Sequence, residues 1–193
     1  MTNPYPGRVL DVLDGLGADA RVLEVGSGAR FVDRRVVSSD MVVTAGVDVA
    51  SLAGALPFPD DVFDFVFSQA VLEHVPEPHL AVDEMVRVLK AGGVFYVEVA
   101  FIQPVHQAPH HYFNHTQYGL LLLCDGLTGV EFGPLGTFGD VVRWLCVESG
   151  ALEMLGLAWL DRVTEDLAVV YEQQTDDQRL RAASGVWLRG VKP

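Results

Sequence analysis

Residues 21–28, RVLEVGSG, form a short β-prone run that stops in a glycine turn. Gly26 and Gly28 permit positive φ and close approach of the backbone to a ligand. Glu24 stands two positions before the first glycine. A turn that cradles phosphate has no use for a carboxylate, because phosphate is itself anionic. An acid here suits a cationic or hydroxyl-rich ligand.

Elements alternate on either side of this turn. Upstream, apolar residues at helical spacing over Pro6–Leu16 predict an amphipathic helix ended by Gly17. Downstream, Val36–Val37 and Val47–Val49 read as short strands, and Val62–Phe67 (VFDFVF) as a strand buried on both faces. Pro78–Lys90 reads as a helix closed by Gly92-Gly93, and Val94–Val99 as the next strand. Helices are expected over Thr116–Cys124, Phe138–Ser149 and Leu152–Glu172. Strands are expected over Val130–Phe132 and Gly185–Val191. Strands alternating with helices imply an α/β fold with a mostly parallel sheet covered on its faces. In such sheets the ligand lies beyond the carboxyl ends of the strands. With no repeat or linker, residues 1–193 are expected to form a single domain.

Composition narrows the function. Thirteen basic against twenty-six acidic residues give a formal charge of −13, which repels nucleic acid and anionic lipid. Half of the residues are hydrophobic and mean hydropathy is +0.26, yet no apolar run approaches the roughly 20 residues that span a bilayer. No signal peptide is read at the N-terminus. Cys124 and Cys146 read as buried reduced thiols, which points to the cytoplasm.

The Glu24-x-Gly26-x-Gly28 turn resembles the first motif of class I S-adenosylmethionine-dependent methyltransferases. The family's third glycine falls at Arg30. The stretch from Leu56-Pro57-Phe58-Pro59 through Ser68-Gln69-Ala70, Glu73-His74-Val75 and Val86–Gly93 is similar to the type 11, small-molecule subfamily. The resemblance implies a three-layer Rossmann-like methyltransferase fold with a seven-stranded sheet, shortened between strands one and four. It implies S-adenosyl-L-methionine as cofactor, held by Glu24, Gly26, Ser27 and Gly28, with Ser68, Gln69 and Ala70 beside its methionine end. Family members carry an acid at the end of strand two for the ribose hydroxyls. Asp48 has the usual separation from Gly28, but leaves no room for a third strand before Val62. Asp40, with Gly46–Ala50 as strand three, is preferred, and Leu52 and Ala53 then stand beside the adenine.

His106, His110, His111 and His115 follow the fifth strand with Tyr112 and Phe113. The segment Phe101–Thr116 is longer than an ordinary connection and is expected to wall the acceptor pocket. Should the reaction need a base, His111 and then His110 are the candidates, because an imidazole titrates near neutrality. His111 and His115 lack a completing acid or thiol, so no metal is expected. The predicted function is methyl transfer to an O, N or C atom of a small-molecule acceptor, with neither nucleic acid nor membrane as partner and a homodimer admitted. The alternative is a non-methylating protein on the same fold, cyclase-like or a binding subunit. A dinucleotide-dependent dehydrogenase is disfavoured, because Glu24 stands where a pyrophosphate would lie.

Overall fold

The computed structural model describes residues 7–28, 30, 33–106 and 110–193. Its sheet is built from β1 (Val22–Val25), β2 (Val36–Asp40), β3 (Val49–Ala50), β4 (Phe63–Gln69), β5 (Leu89–Ala100), β6 (Thr128–Leu135) and β7 (Gly185–Val191). The spatial order is β3-β2-β1-β4-β5-β7-β6. Strands β1 to β5 pair in parallel, and β7 runs antiparallel to both β5 and β6. This is the expected seven-stranded, mostly parallel sheet, and the chain reverses direction across it at β1.

Two apolar layers cover the sheet. Helix α1 (Gly7–Gly15) turns Val9 and Leu13 onto Val22, Val36, Phe65, Phe67 and Tyr96. Helix α2 (Pro78–Val88) and α3 (Gln117–Leu123) pack Ala81, Met85, Val88 and Leu120 against Leu23, Val66, Phe95 and Val97 on the other face. Alternation along each strand makes this division, since successive side chains point to opposite faces. Thr116 caps α3 by accepting from the Gly119 N–H. Pro6, expected to open the first helix, lies outside the described residues.

The middle is short, as the spacing of Asp40 implied. No helix occupies residues 26–35 or 41–48 among the described residues. The third strand is only Val49–Ala50, paired with Ser39 and Asp40.

Three expectations need correction. Gly92-Gly93 does not close the helix. The chain leaves α2 at Val88, and Leu89 already pairs with Phe63. Gly92 (φ +77°) then sits inside β5, where the register with β4 shifts, and its N–H donates to the Lys192 carbonyl at 2.8 Å. Leu89 is fully buried, and its burial favours immediate entry into the sheet. The helix expected over Leu152–Glu172 is two, α5 (Ala151–Leu155) and α6 (Leu157–Glu172), parted by Gly156 at φ +82°. Cys146 is half-buried rather than buried; both thiols are free. Helices α4 (Phe138–Glu148), α5, α6 and a short α7 (Asp176–Arg181) all lie between β6 and β7.

The glycine turn shows why two glycines differ. A side chain on Gly26 (φ +75°) would place its Cβ 2.1 Å from a Val71 methyl, whereas one on Gly28 (φ +58°) would meet nothing within 4 Å among the described residues. Gly26→Ala therefore combines backbone strain with overpacking and is expected to cost about 3 kcal/mol. Gly28→Ala is expected to cost only the strain, about 1 kcal/mol. Urea denaturation of the two variants checks this; equal losses would contradict it.

Candidate active site

The carboxyl ends of β1, β4 and β5 carry polar side chains on the face that α1 covers. Glu24, Gln69 and Glu98 occupy it with Tyr96, and all four are buried. A buried carboxylate must be paired or change its protonation. Glu24 is paired with Arg30, whose guanidinium also donates to Gln69 Oε1 at 2.9 Å and to the Ser27 carbonyl at 3.2 Å. Gln69 Nε2 donates to Glu98 Oε2 at 2.7 Å, and Tyr96 Oη donates to Glu98 Oε1 at 2.6 Å. Burial, and after it the Glu98 charge, raises the Tyr96 phenol and keeps it protonated as a donor. The chain Glu24–Arg30–Gln69–Glu98–Tyr96 thus spans three strands.

The turn itself is held from β2. Gly26 and Ser27 N–H both donate to the Ser39 carbonyl. Gly28 N–H donates to Asp40 Oδ2 and Val42 N–H to Asp40 Oδ1, each at 2.8 Å. Asp40 thereby lies against the open glycine, with a lone pair remaining on each oxygen. Asp48 is turned elsewhere: its Oδ2 accepts from the Ser38 N–H at 2.9 Å. Ser68 Oγ donates to the Val25 carbonyl at 2.8 Å, and Ala70 adopts φ +54°, uncommon for a residue with a side chain. Leu52 is 60% exposed, and Ala53 packs half-buried against the core.

After β5 the chain returns over the same edge. Tyr112 N–H donates to the Glu73 carbonyl and His115 N–H to the Ala100 carbonyl, both at 2.7 Å. This anchors residues 110–115 where β4 and β5 end; Pro109 and its two predecessors lie outside the described residues. His110 is exposed, and its carbonyl faces His74 Nδ1 at 2.7 Å. His111 is half-buried; its Nε2 faces the Phe113 carbonyl at 2.9 Å, and its Nδ1 accepts from the His106 N–H at 3.3 Å. His106 in turn packs against Trp144 of α4, ring centroids 4.9 Å apart. Burial lowers the His106 and His115 pKa values. Glu73, in the 3-10 turn Leu72–His74, is 1% exposed, and burial pushes its carboxyl up to about 7 against the pull of its own and the Ala100 N–H.

The fold therefore brings Glu24, Gly26, Ser27, Gly28, Asp40, Ser68, Gln69 and Ala70 to one edge of the sheet. It leaves Leu52 on the surface. Sequence reasoning passed over Glu98 and Tyr96, which look like ordinary strand residues, and treated Arg30 only as a lost glycine. A buried acid followed six residues later by an arginine was the available signal. The donor set fits a ligand with a cationic head and vicinal hydroxyls: Glu24 already holds a cation, Asp40 offers two acceptors, and among the described residues no side chain fills the space over Gly28.

Removing Arg30 should expose the cost of the buried acid. Arg30→Met takes the guanidinium away from the buried Glu24 carboxylate and is expected to lose about 3–5 kcal/mol of stability. Adding Glu24→Gln should recover part of that loss. Strictly additive losses in a denaturant-measured double-mutant cycle would show that the pair carries no coupling.

Comparison with known proteins agrees with this geometry. Residues 6–97 match a family model described as a methyltransferase domain. An uncharacterized methyltransferase of Mycobacterium leprae (strain Br4923) is 39% identical over 98 residues, 47% of this chain and 36% of the relative. The demethylmenaquinone methyltransferase of Clavibacter sepedonicus is 36% identical over 98 residues, 45% of this chain and 38% of the relative. The chain thus spans little more than a third of these relatives. The [4+2]-cyclase SpnF shares the fold, with a TM-score of 0.57 and 20% identity over 96% of this chain and 80% of SpnF. In residues 6–97 and in its strand order, the chain is similar to the class I S-adenosylmethionine-dependent methyltransferases of the type 11 family.

Proposed function

We propose that the protein transfers a methyl group from S-adenosylmethionine to an O, N or C atom of a small molecule. One observation carries the reading: a fully buried carboxylate at the glycine turn already holds a cation, the Arg30 guanidinium. Glu24 would hold the cofactor's ammonium in place of that guanidinium, and Asp40 its ribose hydroxyls. Gly26, Ser27 and Gly28 would bring backbone close to its methionine part, and Ser68, Gln69 and Ala70 would line the same end. Leu52 and Ala53 would flank the adenine. When bound, S-adenosylmethionine supplies a methyl group activated by its sulfonium. What remains for the chain is to align the acceptor atom with that carbon, a contribution of positioning.

The segment 101–116 would wall the acceptor. His111 stands there as the candidate base, its Nδ1 accepting the 3.3 Å bond from the His106 N–H, with the exposed His110 second. The name of the Clavibacter relative supports a small-molecule acceptor. The charge of −13 argues against nucleic acid or an anionic membrane, and no helix among the described residues is long and apolar enough to cross one. Two unpaired thiols support the cytoplasm as the place of action.

A second reading is a non-methylating protein on the same fold. It is favoured by Arg30 occupying Glu24 and by Leu52, an apolar residue 60% exposed at the position expected beside the adenine.

S-adenosylhomocysteine is expected to raise the melting temperature, gaining about 2.7 kcal/mol of stability at a hundredfold excess over Kd. Arg30→Met should enlarge the ligand-induced shift, because the competing cation is gone. By calorimetry, Asp40→Ala should weaken binding by about 1.5–3 kcal/mol and Asp48→Ala should barely change it. Reversal of the two would assign the ribose to Asp48. Absence of binding at millimolar ligand would favour the non-methylating reading. His111→Ala should lower turnover and leave cofactor affinity nearly intact.

A further inference from the structure

Glu73, His74 and His106 each present one ligand atom, and the three atoms lie within 4.8 Å of one another. The residues come from two segments: Glu73 and His74 from the turn after β4, His106 from the connection after β5. The glycine turn uses none of them.

Each imidazole has its Nδ1 engaged by a backbone carbonyl. His74 Nδ1 lies 2.7 Å from the His110 carbonyl, and His106 Nδ1 lies 3.1 Å from the Pro104 carbonyl. A carbonyl only accepts, so each Nδ1 carries the proton and each Nε2 keeps its lone pair. A ligating histidine commonly donates its other ring N–H to such a carbonyl, which fixes tautomer and orientation. Glu73 supplies the independent observation. Its side chain is buried, and its Oε2 has no hydrogen-bond partner. A buried carboxylate oxygen left without a donor is costly, and a cation satisfies it.

The surroundings hold the cluster in place. The His106 ring packs against those of His111, at a centroid distance of 4.3 Å, and Trp144, at 4.9 Å. The His74 and His106 rings meet edge to face at 5.1 Å. His111 is engaged at both nitrogens by neighbouring backbone and is not a ligand in this arrangement.

We propose that Glu73, His74 and His106 bind one divalent transition metal of the zinc class. Two imidazoles and one carboxylate match zinc and its neighbours and do not suit magnesium or calcium, which take oxygen ligands. Ligand bonds of about 2.0–2.2 Å require side-chain shifts on the order of 1 Å to close on the ion. Three protein ligands leave a coordination position for water or a substrate oxygen. The expectation of no metal rested on His111 and His115; the fold instead assembles a different set, with the missing acid supplied by Glu73.

The test uses the untagged full chain, stripped by chelator and then dialysed. Calorimetry with zinc should give one ion per chain, and cobalt(II) should develop visible d–d absorption that zinc abolishes. Magnesium should give neither. His106→Ala and His74→Ala, each checked by circular dichroism for an unchanged fold, should weaken zinc binding at least tenfold. His79→Ala, on the exposed side of α2, should not change it. Lack of stoichiometric zinc binding in the wild-type chain would overturn the assignment. So would affinity unchanged in both folded variants, which would place any bound ion on other histidines.

Discussion

Glu24 is a carboxylate without exposed surface at the end of a strand flanked by parallel neighbours on both sides. Such a group cannot stay ionised alone, so the structure around it is organised to supply positive charge. Arg30 does so from the loop just beyond the glycine turn, and its remaining donors reach Gln69 and the Ser27 carbonyl. Gln69 then hands its amide to Glu98, which Tyr96 also serves. The polar ends of β1, β4 and β5 are thereby joined into one system at the edge where an α/β sheet receives its ligand. A cationic ligand head at Glu24 would have to compete with this guanidinium, which is itself a structural tie.

The shortened middle follows from the same geometry. With no helix among the described residues between the glycine turn and β2, the turn must be fixed by other means. Ser39 and Asp40 provide them through their carbonyl and carboxylate. Asp40 thus supports the backbone of the turn while keeping acceptor capacity, whereas Asp48 is committed to β2. At the opposite flank, residues 110–115 hang from the Glu73 and Ala100 carbonyls, and Trp144 of the helical insertion between β6 and β7 closes over His106.

Much of this was legible in the sequence because the cues were local. The β-prone run at Gly185–Val191 became β7 without change of limits. The spacing from Gly28 to Val62 left room for β3 only if Asp40 ended β2, and it does. Ambiguity arose where one residue type serves two purposes. Gly92 and Gly93 after an amphipathic helix look like a helix stop, yet a strand irregularity needs the same positive φ. Gly156 within an apolar pattern gave no sign that its φ would break the helix. Arg30 reads as a missing glycine until the buried acid beside it is seen. The grouping of Glu73, His74 and His106 was beyond any local reading, because the topology alone brings residues 32 positions apart together.

The buried Glu24 carboxylate is the proposed cation site, shared between Arg30 and a ligand. A crystal structure of the chain with S-adenosylhomocysteine tests it most directly. The account predicts the ligand's amino nitrogen at Glu24, its ribose at Asp40, and the Arg30 side chain withdrawn from the turn. A ligand bound elsewhere, with Arg30 still seated on Glu24 and Gln69, would contradict it.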